Sequence, residues 1–204
     1  MPKIVDRELR RDEVVQATWR VIARVGIDNV SIREIAAEAG HSTGVIAHYF
    51  KNKDEVLTTA LQLAWRREVD RIARATATLS GFGALEALVA EVLPVGGDRT
   101  LEMAVWMSFW GRAVGDEQLA AQQRRYYGEW RALIRTCLEE AVACGAARPG
   151  VVPSDEAVRI AALVDGIGIQ AVLEPDRISP TRLVELVVGY IRSLRSQPVA
   201  PMPA

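Results

Sequence analysis

"SIREIAAEAGHSTGVIAHYFKNKDEVL", residues 31–57, holds two short helical patterns that meet at a glycine, followed by a lysine where helix electrostatics disfavours one. Ser31 reads as an N-cap whose hydroxyl accepts from the N3 amide, and Glu34 stands where the partner of a capping box belongs. Val30 and Ile35 flank it as a hydrophobic staple. Ile32, Ile35, Ala36 and Ala39 form one apolar stripe, Gly40 ends the helix, and after a three-residue junction Ser42 caps the next one. At 100° per residue Ile46 and Phe50 of that next helix share one side, while Gly44 and His48 face the opposite way. Gly44 costs up to about 1 kcal/mol against alanine in a helix, which suggests that a side chain there would be in the way of something. A helix end that tolerates glycine is the alternative. Asn52 and Glu55 read as the cap of a further helix with Lys53 at its first position, where the macrodipole disfavours a cation. A docked phosphate would reverse that sign.

Working outward, apolar residues recur at three and four rather than at two, so an all-α protein is expected. The first helix spans about Arg10 to Val25, with Val14, Thr18, Val21, Ile22 and Val25 on one face and Gly26 as its stop. A long helix follows from about Asn52 to Leu79. Further helices are expected at about 82–93, 99–114, 116–145, 154–173 and 180–195, with Ser154 and Ser179 as N-caps and Pro180 at N1. The organisation expected is a small N-terminal domain over 1–51, a larger helical domain over 52–195 and a proline-rich, disordered tail over 196–204. The arm "KIVDRELRR" is either unfolded until Arg10 and Arg11 touch phosphate or simply a soluble N-terminus.

Two short helices joined by a tight turn, the second showing small and polar groups outward, fit a helix-turn-helix entering the major groove. The pattern "IREIAAEAGHSTGVIAHYFKNKDEVL" resembles the N-terminal domain of the tetracycline-repressor (TetR) family of bacterial transcription regulators, with Ala39, Gly40, Ser42, Gly44, Phe50, Lys53 and Leu57 in register. The resemblance implies DNA contacts from Arg33, Ser42, Thr43, Gly44, Val45, His48, Tyr49 and Lys53. Arg33 is suited to a guanine edge, Thr43 and His48 sit at recognition-helix positions, and Tyr49 and Lys53 match phosphate-binding ones. Ala47 departs from the pattern where many members carry a phosphate-binding tyrosine. His41 replaces a small apolar turn residue, as either a solvated or partly packed turn residue or a pH-sensitive one.

The last two helices, "AVRIAALVDGIGIQAVL" and "LVELVVGYIRSL", are more apolar than one small core requires, which points to a four-helix contact across a two-fold axis with Gly166 and Gly168 allowing close approach. The family implies the same homodimer. In "LEMAVWMSFWGRA", Glu102, Met103, Trp106, Met107 and Trp110, with Tyr126, Tyr127 and Trp130 on the following helix, form either plain core or the wall of a small-molecule site. "VWMSFW" and "ALVDGIG" also resemble the choline-responsive betaine-pathway regulators of this family. That likeness implies a cationic ligand against indole faces near Glu102 or Asp165. Hydrophobic or aromatic metabolites suit the lining equally, and Asp165 reads otherwise as a hydrogen-bonded residue on the helix surface.

The chain of 204 residues is 50% hydrophobic, with formal net charge −1. Residues 1–53 carry nine Lys/Arg against seven acids, leaving the remainder at −3, so the positive end is segregated. No run nears the roughly 20 apolar residues of a membrane span, and the charged N-terminus is unlike a signal peptide, so a cytoplasmic protein is expected; the family resemblance implies a bacterial one, nucleoid-associated when on DNA. Cys137 and Cys144 lie about 10 Å apart along one helix and read as free core thiols or, alternatively, a redox sensor. His41 and His48 belong to no metal-spaced cluster, and no nucleophile motif or phosphate-binding loop occurs. No enzyme, metal or cofactor is therefore expected. The reading is a homodimeric repressor that binds palindromic double-stranded operator DNA and is released by a small-molecule effector. The alternatives are an activator, or a ligand-binding bundle whose helix-turn-helix is not used.

Overall fold

The absence of any proline or glycine between Pro2 and Val25 lets the first helix begin earlier than Arg10. In the computed structural model, which describes the backbone of residues 2–196 and the side chains of 9–196, α1 spans Pro2–Val25. The arm, for which an unfolded segment is one of the two readings, forms the first turns of this helix. Among the described residues eight more helices follow: α2 Ile32–Glu38, α3 Thr43–Tyr49, α4 Lys53–Thr76, α5 Gly81–Val92, α6 Gly97–Ala113, α7 Glu117–Ala143, α8 Pro153–Leu173 and α9 Pro180–Ser193. The expected all-α class holds. No strand occurs among the described residues, only an isolated bridge between Ala147 and Arg195.

These helices gather into two compact units. One comprises the chain to Arg67 together with Gly96–Gln123; the other comprises Glu68–Val95 and the chain from Arg124 onward.

In the first unit α1 packs against α2 and α6, and α2 against α3. Its core takes the expected face of α1 (Val14, Thr18, Val21 and Ile22), with Ile35 and Ala36 of α2, Ile46 and Phe50, and Val56, Leu57 and Leu61 of α4. Thr18 is buried without cost because its hydroxyl donates to Val14 O at 2.8 Å. Trp19 Nε1 donates to Ala60 O at 3.0 Å, and Trp65 meets Trp106 edge to face at 6.4 Å between centroids.

In the second unit α5 and α8 both pack against α9. Ser80, at the N-cap of α5, makes no side-chain cap bond; Glu140 replaces it, its carboxylate accepting from Gly81 N at 2.8 Å. Glu86 accepts from Arg192 and Arg195, at 3.1 and 2.7 Å, and so fastens α9 to α5. Buried Glu156 is held by Tyr190 Oη and by Arg159, both at 2.6 Å. Helix α8 starts a residue earlier than expected, with Val152 at the N-cap and Pro153 at N1, because proline's fixed φ suits the first helical position better than Ser154. Ser179 and Pro180 start α9 as expected. Cys137 is buried, its thiol pushed up to about 11 chiefly by burial, whereas Cys144 lies past the end of α7 and is exposed, so only one thiol belongs to the core. The tail expected to be disordered falls on residues 197–204, outside the described ones; Ser196 itself is tied to Ala146 O at 2.8 Å.

Candidate functional site

Residues 31–57 build their geometry almost entirely from local bonds. Ser31 Oγ accepts from Glu34 N at 3.2 Å, and Ser31 N donates to Glu34 Oε2 at 3.0 Å, which completes the capping box. At the other end of α2, Gly40 adopts φ +68°, its amide donates to Ala37 O, and His41 N donates to Ala36 O. That bond pair is a Schellman stop, and the left-handed residue it needs is glycine. Ser42 caps α3 by accepting from Val45 N at 3.4 Å.

The two short helices are thereby set so that Ile35, Ala36, Ile46 and Phe50 point inward while Arg33, Ser42, Thr43, Gly44, Ala47 and His48 are exposed. Val45 and Tyr49 are half-buried at the margins of that face, and the rings of Tyr49 and His48 meet edge to face at 5.3 Å. Arg33, at the second position of α2, makes no hydrogen bond or ion pair with the described residues. A Cβ built on Gly44 would meet only Ser42 Oγ, at 3.7 Å, so nothing in the fold demands glycine there. His41 is mostly buried, with Nε2 3.6 Å from Glu13 Oε2, too long for a hydrogen bond. It is a packed turn residue.

Lys53 stands at the first position of α4, where Asn52 Oδ1 accepts from Glu55 N at 2.8 Å. The reciprocal bond goes one residue further back than a standard box, from Lys51 N to Glu55 Oε2 at 2.7 Å. Lys53 Nζ donates to Asp28 O at 3.1 Å, so the chain itself supplies an acceptor for the charge that looked misplaced. Lys51 is the cation that sequence reasoning passed over as a contact. It is exposed beside the end of α3, and its ammonium meets no described residue. Its place in the loop between two helix termini was the available signal. Arg11, by contrast, is engaged internally, its guanidinium 5.0 Å from the Phe50 ring centroid and 3.2 Å from Thr59 Oγ1.

The candidate effector residues divide between the units. In the first, α6 buries Glu102, Met103 and Trp106 and leaves Met107 and Trp110 half-buried. Met103 and Trp106 are buried, and the Trp106 ring meets that of Trp65. The end of α6 is tied to the start of α4 by Arg112 and Asp54 at 3.3 Å. In the second unit Tyr126 and Trp130 are buried, and Tyr127 Oη donates to Asp165 Oδ2 at 2.9 Å. Burial pushes the Asp165 carboxyl up to about 6, against the opposing pull of the Tyr127 hydrogen bond and the Arg131 charge. Burial, then the Asp165 charge, raises the Tyr127 phenol above its ordinary range. Among the described residues no group of three or more His, Cys, Asp or Glu is placed to hold a metal ion. No helix among them is long and apolar enough to cross a membrane.

Comparison with known proteins agrees with this geometry. Residues 14–60 match the family model described as bacterial regulatory proteins, tetR family, and residues 83–196 match the model described as BetI-type transcriptional repressor, C-terminal. The HTH-type transcriptional regulator PksA of Bacillus subtilis (strain 168) is 33% identical over 95% of this chain and 94% of its own. The HTH-type transcriptional regulator BetI 1 of Chromohalobacter salexigens is 31% identical over the whole of both chains. A transcriptional regulator from Saccharomonospora viridis, solved in complex with choline, superposes with a TM-score of 0.84 at 26% identity, over 92% of this chain and 98% of that one. These relatives are regulators, not enzymes. The chain belongs to the TetR family of DNA-binding transcriptional regulators, in the group whose C-terminal region is BetI-type.

Proposed function

We propose that the protein is a homodimeric repressor that holds a palindromic operator through two copies of α3 and lets go when a small molecule binds. The observation that carries this reading is the outward face of α2 and α3: Arg33, Thr43, Gly44 and His48 are exposed together on a capped frame, and among the described residues Arg33 makes no hydrogen bond or ion pair and His48 touches only the ring of Tyr49 beside it. The DNA contacts are Arg33 on a base edge, Ser42, Thr43, Gly44, Val45 and His48 in the groove, and Tyr49 and Lys53 on phosphate. The functional division is 1–51 for DNA and 52–195 for effector and dimer, and the protein works in the cytoplasm on the nucleoid.

Dimerisation through α8 and α9 is supported by a stripe along α8. Val158, Ala162, Gly166, Ile169 and Leu173 recur at three and four over about 22 Å and are exposed or half-buried, Leu173 at 67%. Leu186 adds to it from α9. Two such stripes facing each other across a two-fold axis would bury what one chain leaves open, and half-sites would lie about 34 Å apart per helical turn.

The effector reading is a quaternary ammonium compound such as choline, the ligand of the Saccharomonospora viridis neighbour. The chemistry that supports it is aromatic faces with an acidic group. Trp106 and Trp110 accompany Glu102 on α6, with Met103 and Met107 as flexible lining, and Tyr126, Tyr127 and Trp130 accompany Asp165 in the other unit. The Arg112–Asp54 pair gives α6 a direct hold on the helix that follows α3.

The test is fluorescence anisotropy on DNA flanking the protein's own gene, against random DNA, at two salt concentrations, with and without choline. Two protomers on one discrete site, weakened by salt and released by choline, is the expected result. No binding at low salt would leave a helical ligand-binding protein, and binding that raises transcription of the adjacent gene would make it an activator.

A further inference from the structure

The exposed face of α3 lacks every side chain that makes the usual bidentate contacts with bases. Guanine is read by Arg or Lys and adenine by Asn or Gln. The helix reads Thr43-Gly44-Val45-Ile46-Ala47-His48-Tyr49 and contains none of these. His48 can form one hydrogen bond at each ring nitrogen, with no fork. What the face presents instead is carbon. Thr43 and Ala47 lie four residues apart, both exposed, with Cβ atoms about 6 Å from each other on one side of the helix. At 100° per residue Ala47 falls at 40° and Gly44 at 100° from Thr43, with His48 at 140°. Ala47 is therefore inside the exposed arc, not at its edge.

The major groove offers one apolar mark, the C5 methyl of thymine, and Ala and Thr are the residues that meet it. Methyl contact requires approach to about 4 Å, which a bulky neighbour would prevent. Gly44, beside Ala47, carries no side chain, and a Cβ there would meet only Ser42 Oγ at 3.7 Å, so the approach is not blocked from that position.

We propose that Ala47 and Thr43 are specificity-determining residues that read thymine methyl groups in each operator half-site, so that α3 selects A·T pairs by shape and carbon contact. This rests on the DNA-binding reading above. It gives Ala47, which departs from the family's phosphate-binding tyrosine, a part in base selection.

The experiment uses the full chain and a duplex selected by it from a random pool. Each thymine of one half-site is replaced in turn by deoxyuridine, which removes the methyl and nothing else, and affinity is read by anisotropy. About a fourfold loss is expected at the one or two thymines facing α3, the value of one buried carbon group. Ala47→Gly should bind the thymine and uracil duplexes equally at one of these positions. Thr43→Ser, which keeps the hydroxyl and the helix and loses only the methyl, should do so at the other, and it serves as the arm in which folding is not perturbed. Uracil tolerated at every thymine would overturn the proposal. So would a loss that persists unchanged in both variants, since the methyl would then be read by another residue. If the wild-type chain selects no duplex at all, the DNA-binding reading fails, and the proposal with it.

Discussion

The outward face of α3 and the inner face of α8 handle polar groups in opposite ways. On α3, Thr43, Gly44 and His48 face outward and contribute little to the fold. On α8, Glu156 and Asp165 are drawn inward and matched one by one, Glu156 by Tyr190 and Arg159, Asp165 by Tyr127. A side chain held in reserve for a partner leaves stability nearly unchanged when it is removed, whereas a buried matched group alters stability when it is changed. The two faces should therefore separate cleanly under mutation, with binding moving at one and folding at the other.

The largest effect on folding should come from Asp165. Its carboxyl titrates near 6 in the folded chain against 3.8 as the ordinary value, so between those values the folded state holds a proton that the unfolded state has lost. Stability therefore falls as pH rises from about 4 through 6, and the deficit persists above that. Asp165→Asn, which keeps an acceptor for Tyr127 and carries no charge, should remove this slope. A gain on the order of 2–3 kcal/mol at pH 7 is expected. Denaturant melts of both proteins from pH 4 to 8 check it, and parallel pH curves would show that the burial of Asp165 is relieved by other means. Operator affinity should be untouched.

Arg33→Ala should give the complementary result. With no hydrogen bond or ion pair to the described residues it can be deleted at little cost in stability, while operator affinity should fall by about 1–3 kcal/mol and discrimination at one base pair should disappear. Equal loss on operator and random duplex would move Arg33 from a base edge to a phosphate.

The two lysines divide along the same line. Lys51→Ala should weaken all duplexes alike, lower the slope of log affinity against log salt by about 1, and leave the melting curve in place. Lys53→Ala should flatten the slope too, but it also breaks the bond to Asp28 O and should cost about 1 kcal/mol of stability. A salt slope unchanged by Lys53→Ala would make that residue a structural tie only.

How much of this could be read from the chain depends on how far apart the partners are. The capping box of Ser31 and Glu34, the glycine stop at Gly40 and the caps at Ser42 and Asn52 are set within three to five residues, so the helix-turn-helix and its outward face were legible. The order of the helices among the described residues followed from periodicity and stops for the same reason. Partners far apart in the chain were hidden. Lys53 finds its acceptor 25 residues back, Asp165 its donor 38 residues away, and the cap of α5 comes from Glu140, 59 residues on. The start of α1 was not legible because the charged run 3–11 lacks the apolar periodicity that marks a helix face, although no residue there breaks a helix. The aromatic stripe of α6 could be read as core or as pocket wall, because periodicity shows only that a face is covered. The contact of Trp106 with Trp65 gives that residue a packing role.

The finest separation of the two kinds of site is between two glycines four residues apart. Gly40 sits at φ +68°, a left-handed conformation costing a residue with Cβ roughly 1–2 kcal/mol, so Gly40→Ala should lower stability by about that amount. Gly44 has an ordinary helical backbone, and a methyl group there would make only an ordinary contact with Ser42 Oγ. Gly44→Ala should therefore raise stability, by some tenths of a kcal/mol up to about 1 kcal/mol. The same methyl projects from the face that approaches the groove and should reduce operator affinity. A variant that melts higher and binds worse places the demand for glycine outside the chain. If Gly44→Ala melts higher and binds as well as the parent, there is room between α3 and the groove at that point, and the glycine is no more than a tolerated helix start.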